Sequence, residues 1–271
     1  MPLSRLFVPD IRAKVVQRGI VAEISGATIW RWLSEDAIRP WTYRSWIFPR
    51  DPDFEPKAAR VLDLYAREWD GEALSPDDYV ISADEKTSIQ CRCRCHPTLP
   101  AAQSRAMLVE HEYDRNGAVQ YLAAWDVHRA KVFGRCEDKT GIAPFGRLVH
   151  QVMSQEPYAS ARRVFWVVDN GSSHRGEASV RRMSELWPTA HLVHVPIHAS
   201  WVNQVEIYLS IIQRKCLTPN DFHDLAQIEH RLFAFERRYE QTAKPFEWKF
   251  TRSDLALLMK RLADKEAPLA A

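Results

Sequence analysis

Between residues 11 and 35 the apolar positions fall at three- and four-residue steps and predict two short helices around a turn. Ser25 is a suitable N-cap for the second, which continues Gly26-Ala-Thr-Ile-Trp-Arg-Trp-Leu33, and Gly19 stands where the first ends. This is the outline of a helix-turn-helix with Thr28, Arg31 and Trp32 on the presented face. Pro40, Pro49, Pro52 and Pro56 then exclude a regular element over 38–56. A helix over 56–70 follows, with Ala59, Leu62, Tyr65 and Trp69 on one side.

From residue 78 the rhythm changes. Tyr79-Val-Ile-Ser-Ala83 reads as a strand ending in Asp84, and 120–125 and 130–133 read as further strands. Arg163-Val-Phe-Trp-Val-Val168 is an unbroken apolar run, as expected of a strand covered on both faces, and it ends at Asp169. Helices are predicted over 145–153, 177–186 and 201–217, with a strand over 191–195 stopped by Pro196. Residues 222–262 are expected to be helical. Strands first, then alternating helix and strand, describe an α/β fold with a mixed sheet and helices packed on it.

Composition narrows this only slightly. The chain has 271 residues, 46% of them hydrophobic, enough for a large core. No apolar run approaches a membrane span and no secretory signal opens the chain, so a cytoplasmic protein with no membrane partner is expected. Net charge is +2, but residues 1–50 hold eight Lys/Arg against four acids. That local bias, which includes Arg44, suits a DNA-contacting N-terminus. Five cysteines, three of them in Cys91-Arg-Cys-Arg-Cys95, argue against a disulfide framework. Their alternation along a strand is also the wrong spacing for a structural zinc.

Three acids stand at informative places. Asp84 and Asp169 each follow a strand, and in an open α/β sheet ligands collect beyond the carboxyl ends of the strands. Glu206 lies on a predicted helix whose buried stripe is Trp201, Val205, Leu209, Ile212 and Cys216. A second, polar stripe holds Asn203, Glu206, Ser210 and Gln213. Glu206 therefore flanks the core stripe, and a helix laid against the sheet edge would aim it at Asp84 and Asp169. Three converging carboxylates repel one another, and divalent cations remove that cost. Each acid alone reads more readily as a cap, turn former or salt-bridge partner.

The segments Ser82-Ala-Asp-Glu-Lys-Thr-Ser-Ile-Gln90, Val167-Val-Asp-Asn-Gly-Ser-Ser-His174 and His198-Ala-Ser-Trp-Val-Asn-Gln-Val-Glu206 resemble the bacterial insertion-sequence transposases of the mariner-like DDE superfamily. Arg50-Asp-Pro-Asp-Phe54 and Pro245-Phe-Glu-Trp-Lys-Phe250 add to the resemblance. It implies a ribonuclease-H-like catalytic domain preceded by helix-turn-helix DNA binding. Asp84, Asp169 and Glu206 match the catalytic, metal-binding triad, holding two Mg²⁺ or Mn²⁺ ions. The partners implied are double-stranded DNA, as inverted-repeat ends and as target, and further copies of the chain in a dimer or larger assembly. The family pattern includes two helix-turn-helix units where one fits here, which leads to the expectation of a shortened copy or one half of a split protein.

Lys86, Asn170, His174 and Asn203 are candidates for supporting the metal or contacting DNA, and Thr28, Arg31, Trp32 and Arg44 for DNA binding. The expected division is a partial helix-turn-helix (1–37), a Pro/Trp-rich linker and helix (38–77), a catalytic domain (78–218) and C-terminal helices packed on it (219–271). The alternatives are a ribonuclease-H-like nuclease or resolvase without strand transfer, and a non-enzymatic DNA-binding protein.

Overall fold

The computed structural model describes residues 5–35, 42 and 49–266. The chain divides into two compact units, Met1–Phe48 and Pro49–Ala271. In the first, α1 (Val8–Gln17) and α2 (Gly26–Glu35) pack on each other, and Ile24 and Ile29 are buried. Ser25 caps α2 as its sequence predicts, its Oγ accepting from the Thr28 amide at 3.0 Å. Gly19 takes the left-handed backbone (φ +68°) that ends α1. The connection runs from Arg18 to Ser25, longer than the three- or four-residue turn of a compact helix-turn-helix.

The second unit is built on a five-stranded sheet of order β5-β4-β3-β6-β7, formed by β3 (Asp78–Arg94), β4 (Tyr113–Asp126), β5 (Val132–Glu137), β6 (Arg163–Val168) and β7 (Ala190–His194). Strands β3, β4 and β5 are antiparallel, whereas β6 and β7 run parallel to β3. This mixed sheet with helices on both faces is the ribonuclease-H-like architecture that the resemblance implied. One face is covered by α4 (Ile142–Met153) and α5 (Gly176–Leu186), over a core centred on Trp166, Tyr158 and Leu122. The other carries α3 (Phe54–Tyr65), α6 (Val205–Lys215), α7 (Leu225–Glu240) and α8 (Arg252–Glu266) over Trp125, Tyr121, Tyr208 and Phe165. Each such aromatic or aliphatic side chain stabilises the fold by about 1.5–3 kcal/mol on burial. The edge strand β5 is not left bare: Glu240 of α7 accepts from the Val132 amide at 3.0 Å.

Several boundaries differ from the pattern-based reading. Strand β3 does not end at Asp84 but continues to Arg94, because β4 begins at Tyr113 and pairs with it well beyond the parallel half of the sheet. Pairing satisfies the backbone through Asp84-Glu-Lys86, a run whose local propensity disfavours a strand. The helix expected over 201–217 is a 3₁₀ turn at Ser200–Val202 followed by α6. That expected over 56–70 stops at Tyr65, and a two-stranded ribbon of β1 (Glu68–Trp69) and β2 (Glu72–Ala73) follows. Residues 49–77 pack with the sheet rather than link to it, while most of 38–48 lies outside the described residues.

The helical reading of 222–262 breaks between α7 and α8. There Phe246, Trp248 and Phe250 pack on the core at alternate positions, with ring centroids 4.6 Å from Trp125, 5.3 Å from Tyr65 and 5.1 Å from Trp201. The alternation marks an extended segment, but it is short, and the helical periodicity on either side masks its period of two.

Candidate active site

The geometry starts from strand register. Asp78 stands opposite Arg163 and Ser82 opposite Val167; the same offset carried two residues further sets Asp84 level with Asp169. Neighbouring strands lie about 4.8 Å apart, so the two carboxylates emerge side by side. Alternation fixes their face. Val80 on β3 and Phe165 and Val167 on β6 point into the core beneath α6, and Asp84 and Asp169 share their parity. Val205, Tyr208, Leu209 and Ile212 of α6 pack into that same core, and Glu206 lies in the first turn of the helix, half-buried.

The start of α6 is fastened to β3 two residues from Asp84. The buried Ser82 hydroxyl donates to Asn203 Oδ1 and accepts from the Val205 amide at 2.8 Å. Asn203 Nδ2 donates to the Ala83 carbonyl at 2.9 Å. Asn203 is fully buried and its side chain is spent on these contacts, which hold the start of α6 against β3. Ser82 escaped the sequence reading, although a hydroxyl in the apolar run Val80-Ile-Ser-Ala is a signal, since a buried polar group needs a partner.

Asp169 is held from its other side. Its Oδ1 accepts from the Gly171 amide at 2.7 Å and from His174 Nε2. The His174 hydrogen bond, with the Gly171 amide, keeps the Asp169 carboxyl below the usual range despite burial. His174 is itself buried, with Nδ1 2.9 Å from Ser173 Oγ, and Ser173 Oγ donates to Glu85 at 3.1 Å. Glu85 thus points away from Asp84, as the continued strand requires, yet supports Asp169 through this chain of contacts. His174 is enclosed and unavailable to DNA. Asn170 Nδ2 donates to the Val195 carbonyl at 2.8 Å and ties the ends of β6 and β7 together. Gly171 is required by close approach: a Cβ there would meet Asp169 Oδ1 at 2.9 Å and His174 Nε2 at 3.1 Å.

The electrostatics report the convergence. Burial pushes the Asp84 carboxyl up to about 8, and the negative charges of Asp169, Glu206 and Glu85 add to it against one amide bond from Glu85. Among the described residues, no group of three or more His, Cys, Asp or Glu side chains already forms a metal-holding cage. Two clefts adjoin the acids. One, of about 610 Å³, is lined by Asp169, Asn170, Arg175, His198 and Ser200, and the other, of about 470 Å³, by Glu206, Lys86, Gln213 and Arg214.

The remaining candidates lie apart. On α2, Arg31 and Trp32 are exposed, as is Trp30, while Thr28 is partly covered and tied to the Ser25 cap. Arg44 lies outside the described residues. Of the cysteines, Cys91 is buried and donates to the Phe222 carbonyl at 3.2 Å, and Cys93 Sγ sits 3.2 Å from His223 Nδ1. They secure the far part of β3 against the segment before α7.

A sequence search of curated proteins finds no match. Among solved structures, the Mos1 mariner paired-end complex with Mn superposes with a TM-score of 0.55 at 12% identity, covering 97% of this chain and 78% of that one. The Mos1 paired-end complex with Mg gives 0.53 at 14% identity, covering 97% and 79%. The Mos1 strand transfer complex gives 0.53 at 11% identity, covering 97% and 78%. At these identities the likeness is one of fold. A family model described as DDE superfamily endonuclease matches residues 80–229, more than half of the chain, and that segment contains Asp84, Asp169 and Glu206. The chain belongs to the DDE superfamily endonucleases.

Proposed function

We propose that this endonuclease is a transposase of an insertion sequence, in which Asp84, Asp169 and Glu206 together bind Mg²⁺ or Mn²⁺ and carry out DNA cleavage and strand transfer. The observation that carries the reading is the shared face: two aspartates level on adjacent parallel strands, and a glutamate in the first turn of a helix fastened beside them. The donor set is all oxygen, which suits these hard cations. The raised Asp84 carboxyl marks a site where negative charge is crowded and uncompensated, and where a divalent ion binds favourably. A pair of such ions supplies a polarised phosphoryl oxygen and an activated water or 3′-hydroxyl.

The chain's own part is positional. Ser82 and Asn203 fix the approach of Glu206, while Gly171 and His174 orient Asp169. The Mos1 structures are paired-end complexes with Mn and with Mg and a strand transfer complex, which supports the same ions, a DNA substrate and assembly of more than one copy on DNA. In this reading α2, with Arg31 and Trp32, contributes to holding the element's ends, and residues 49–266 carry the chemistry.

Strand transfer separates a transposase from a plain nuclease. Duplex ends carrying the element's inverted repeat and a free 3′-hydroxyl, incubated with supercoiled plasmid and Mn²⁺, are expected to become covalently joined to it. Cleavage of the uncut repeat without any joining of the pre-cut ends would reduce the function to that of a ribonuclease-H-like nuclease.

A further inference from the structure

A third cleft opens beside the candidate site. It measures about 400 Å³ and is lined by Lys86, Gln90, Arg92, Arg94, Gln213 and Asn220 among others, with no carboxylate in its wall. Lys86 and Gln213 also line the cleft that holds Glu206, so the two are continuous. The path follows β3 past two register shifts, between Lys86 and Ile89 and between Gln90 and Arg92. Such bulges re-aim side chains, and Thr87 and Ser88 lie in the first of them.

Two of the three cations, Lys86 and Arg92, are not consumed by hydrogen bonds or ion pairs within the chain among the described residues. The Lys86 ammonium makes no hydrogen bond or ion pair among the described residues. Arg92 stacks its guanidinium 4.7 Å over the Tyr113 ring, and its Nε is buried with no hydrogen-bond partner. The terminal nitrogens of that guanidinium make no hydrogen bond or ion pair among the described residues, and they are the donors left for an acceptor from outside. Arg94 builds the wall: it donates to the carbonyls of Asn220 at 3.1 Å and Glu110 at 2.6 Å. Asn220 in turn bonds the backbone of Gln90 and Arg92, at 2.6 and 3.1 Å. The wall is therefore fixed before any ligand arrives.

We infer that the groove from Lys86 to Arg92 is a phosphate track that grips the DNA backbone leading away from the scissile bond. The inference rests on the assignment of the three acids as the active site, and it extends that site along one strand. Arg92 suits a phosphate because its planar fork donates two parallel bonds, and Tyr113 holds that fork in place.

Fluorescence anisotropy tests it, using a labelled duplex of about 30 base pairs in EDTA, so that binding is read without cleavage, over a range of salt concentrations. Each phosphate that the protein no longer neutralises lowers the slope of log affinity against log salt by about 0.9. Lys86→Gln/Arg92→Gln is expected to lower the slope by about 1.8, as two such phosphates require. Gln213→Glu, at an exposed position on the groove wall, is expected to weaken binding at least about tenfold by adding a like charge beside the backbone. It serves where the double variant fails to fold. Arg181→Gln, exposed on α5 across the sheet, is expected to leave affinity and slope unchanged. An unaltered slope in the double variant with unaltered binding by Gln213→Glu, or an equal loss with Arg181→Gln, would overturn the track. Asp84→Asn, run alongside, separates the two assignments: it is expected to bind normally and lose nicking, and if nicking survived, the acids would be misassigned whatever the groove does.

Discussion

Asp84 carries the sharpest consequence at the scale of single residues. Its carboxyl titrates near 8 in the metal-free fold against an ordinary value of 3.8. Between these values the folded chain keeps a proton that the unfolded chain has released, so metal-free stability falls as pH rises from about 4 to about 8. Asp84→Asn removes this penalty and is expected to raise the melting temperature in EDTA at pH 8, with little change at pH 4. Equal melting temperatures for variant and parent across that range would contradict the crowding. Ion binding displaces the same proton, so the apparent Mg²⁺ affinity is expected to weaken by up to about tenfold per pH unit below 8, measured by titration calorimetry. Gly171 gives an independent test. Gly171→Ala forces its methyl against Asp169 Oδ1 and His174 Nε2, and is expected to cost about 1–3 kcal/mol of stability and to reduce nicking. Unchanged nicking would show that Asp169 needs no such clamp.

Among elements, the start of α6 decides the geometry. Ser82→Ala leaves Asn203 Oδ1 and the Val205 amide without their partner, at about 1–3 kcal/mol. The helix end is then free to shift. The variant is expected to lose metal affinity by about 10–100-fold while remaining folded. A normal metal titration in folded Ser82→Ala would show that Glu206 is located by the α6 core contacts alone. Which elements were readable from sequence follows the same physics. The buried run 163–168 and the amphipathic helices were legible because one period governs each. Asp84, Asp169 and Glu206 were legible through the resemblance of the three segments that hold them, whereas patterning alone left each as an ordinary cap, turn former or salt-bridge partner. The continuation of β3 to Arg94 was not legible, since a distant strand supplies its pairing. Nor were the supports Ser82, Gly171 and Ser173, whose partners lie across the fold or depend on a turn that only tertiary structure closes. The aromatic strap 246–250 was hidden because its alternation sits between two true helices.

For the whole molecule, the two faces of the sheet divide the labour. The face under α4 and α5 is chiefly packing, with His174 and Glu85 reaching the sheet edge to steady Asp169. The opposite face gathers the acids, and the cationic groove runs from them along the edge of β3. In the N-terminal unit, α2 presents Arg31, Trp30 and Trp32 to solvent, as a DNA-contacting surface requires. Trp32→Ala with Arg31→Ala is expected to weaken binding to the inverted repeat while leaving the nicking of plasmid by residues 49–266 intact. An unchanged affinity for the repeat would remove α2 from end recognition. All of this depends on one cluster of carboxylates acting together. Nicking of supercoiled plasmid in Mn²⁺ by Asp84→Asn, Asp169→Asn and Glu206→Gln, each checked by circular dichroism to be folded, measures that directly. Loss of nicking in all three is the predicted result; a folded variant that still nicks at the parental rate would contradict the shared metal site.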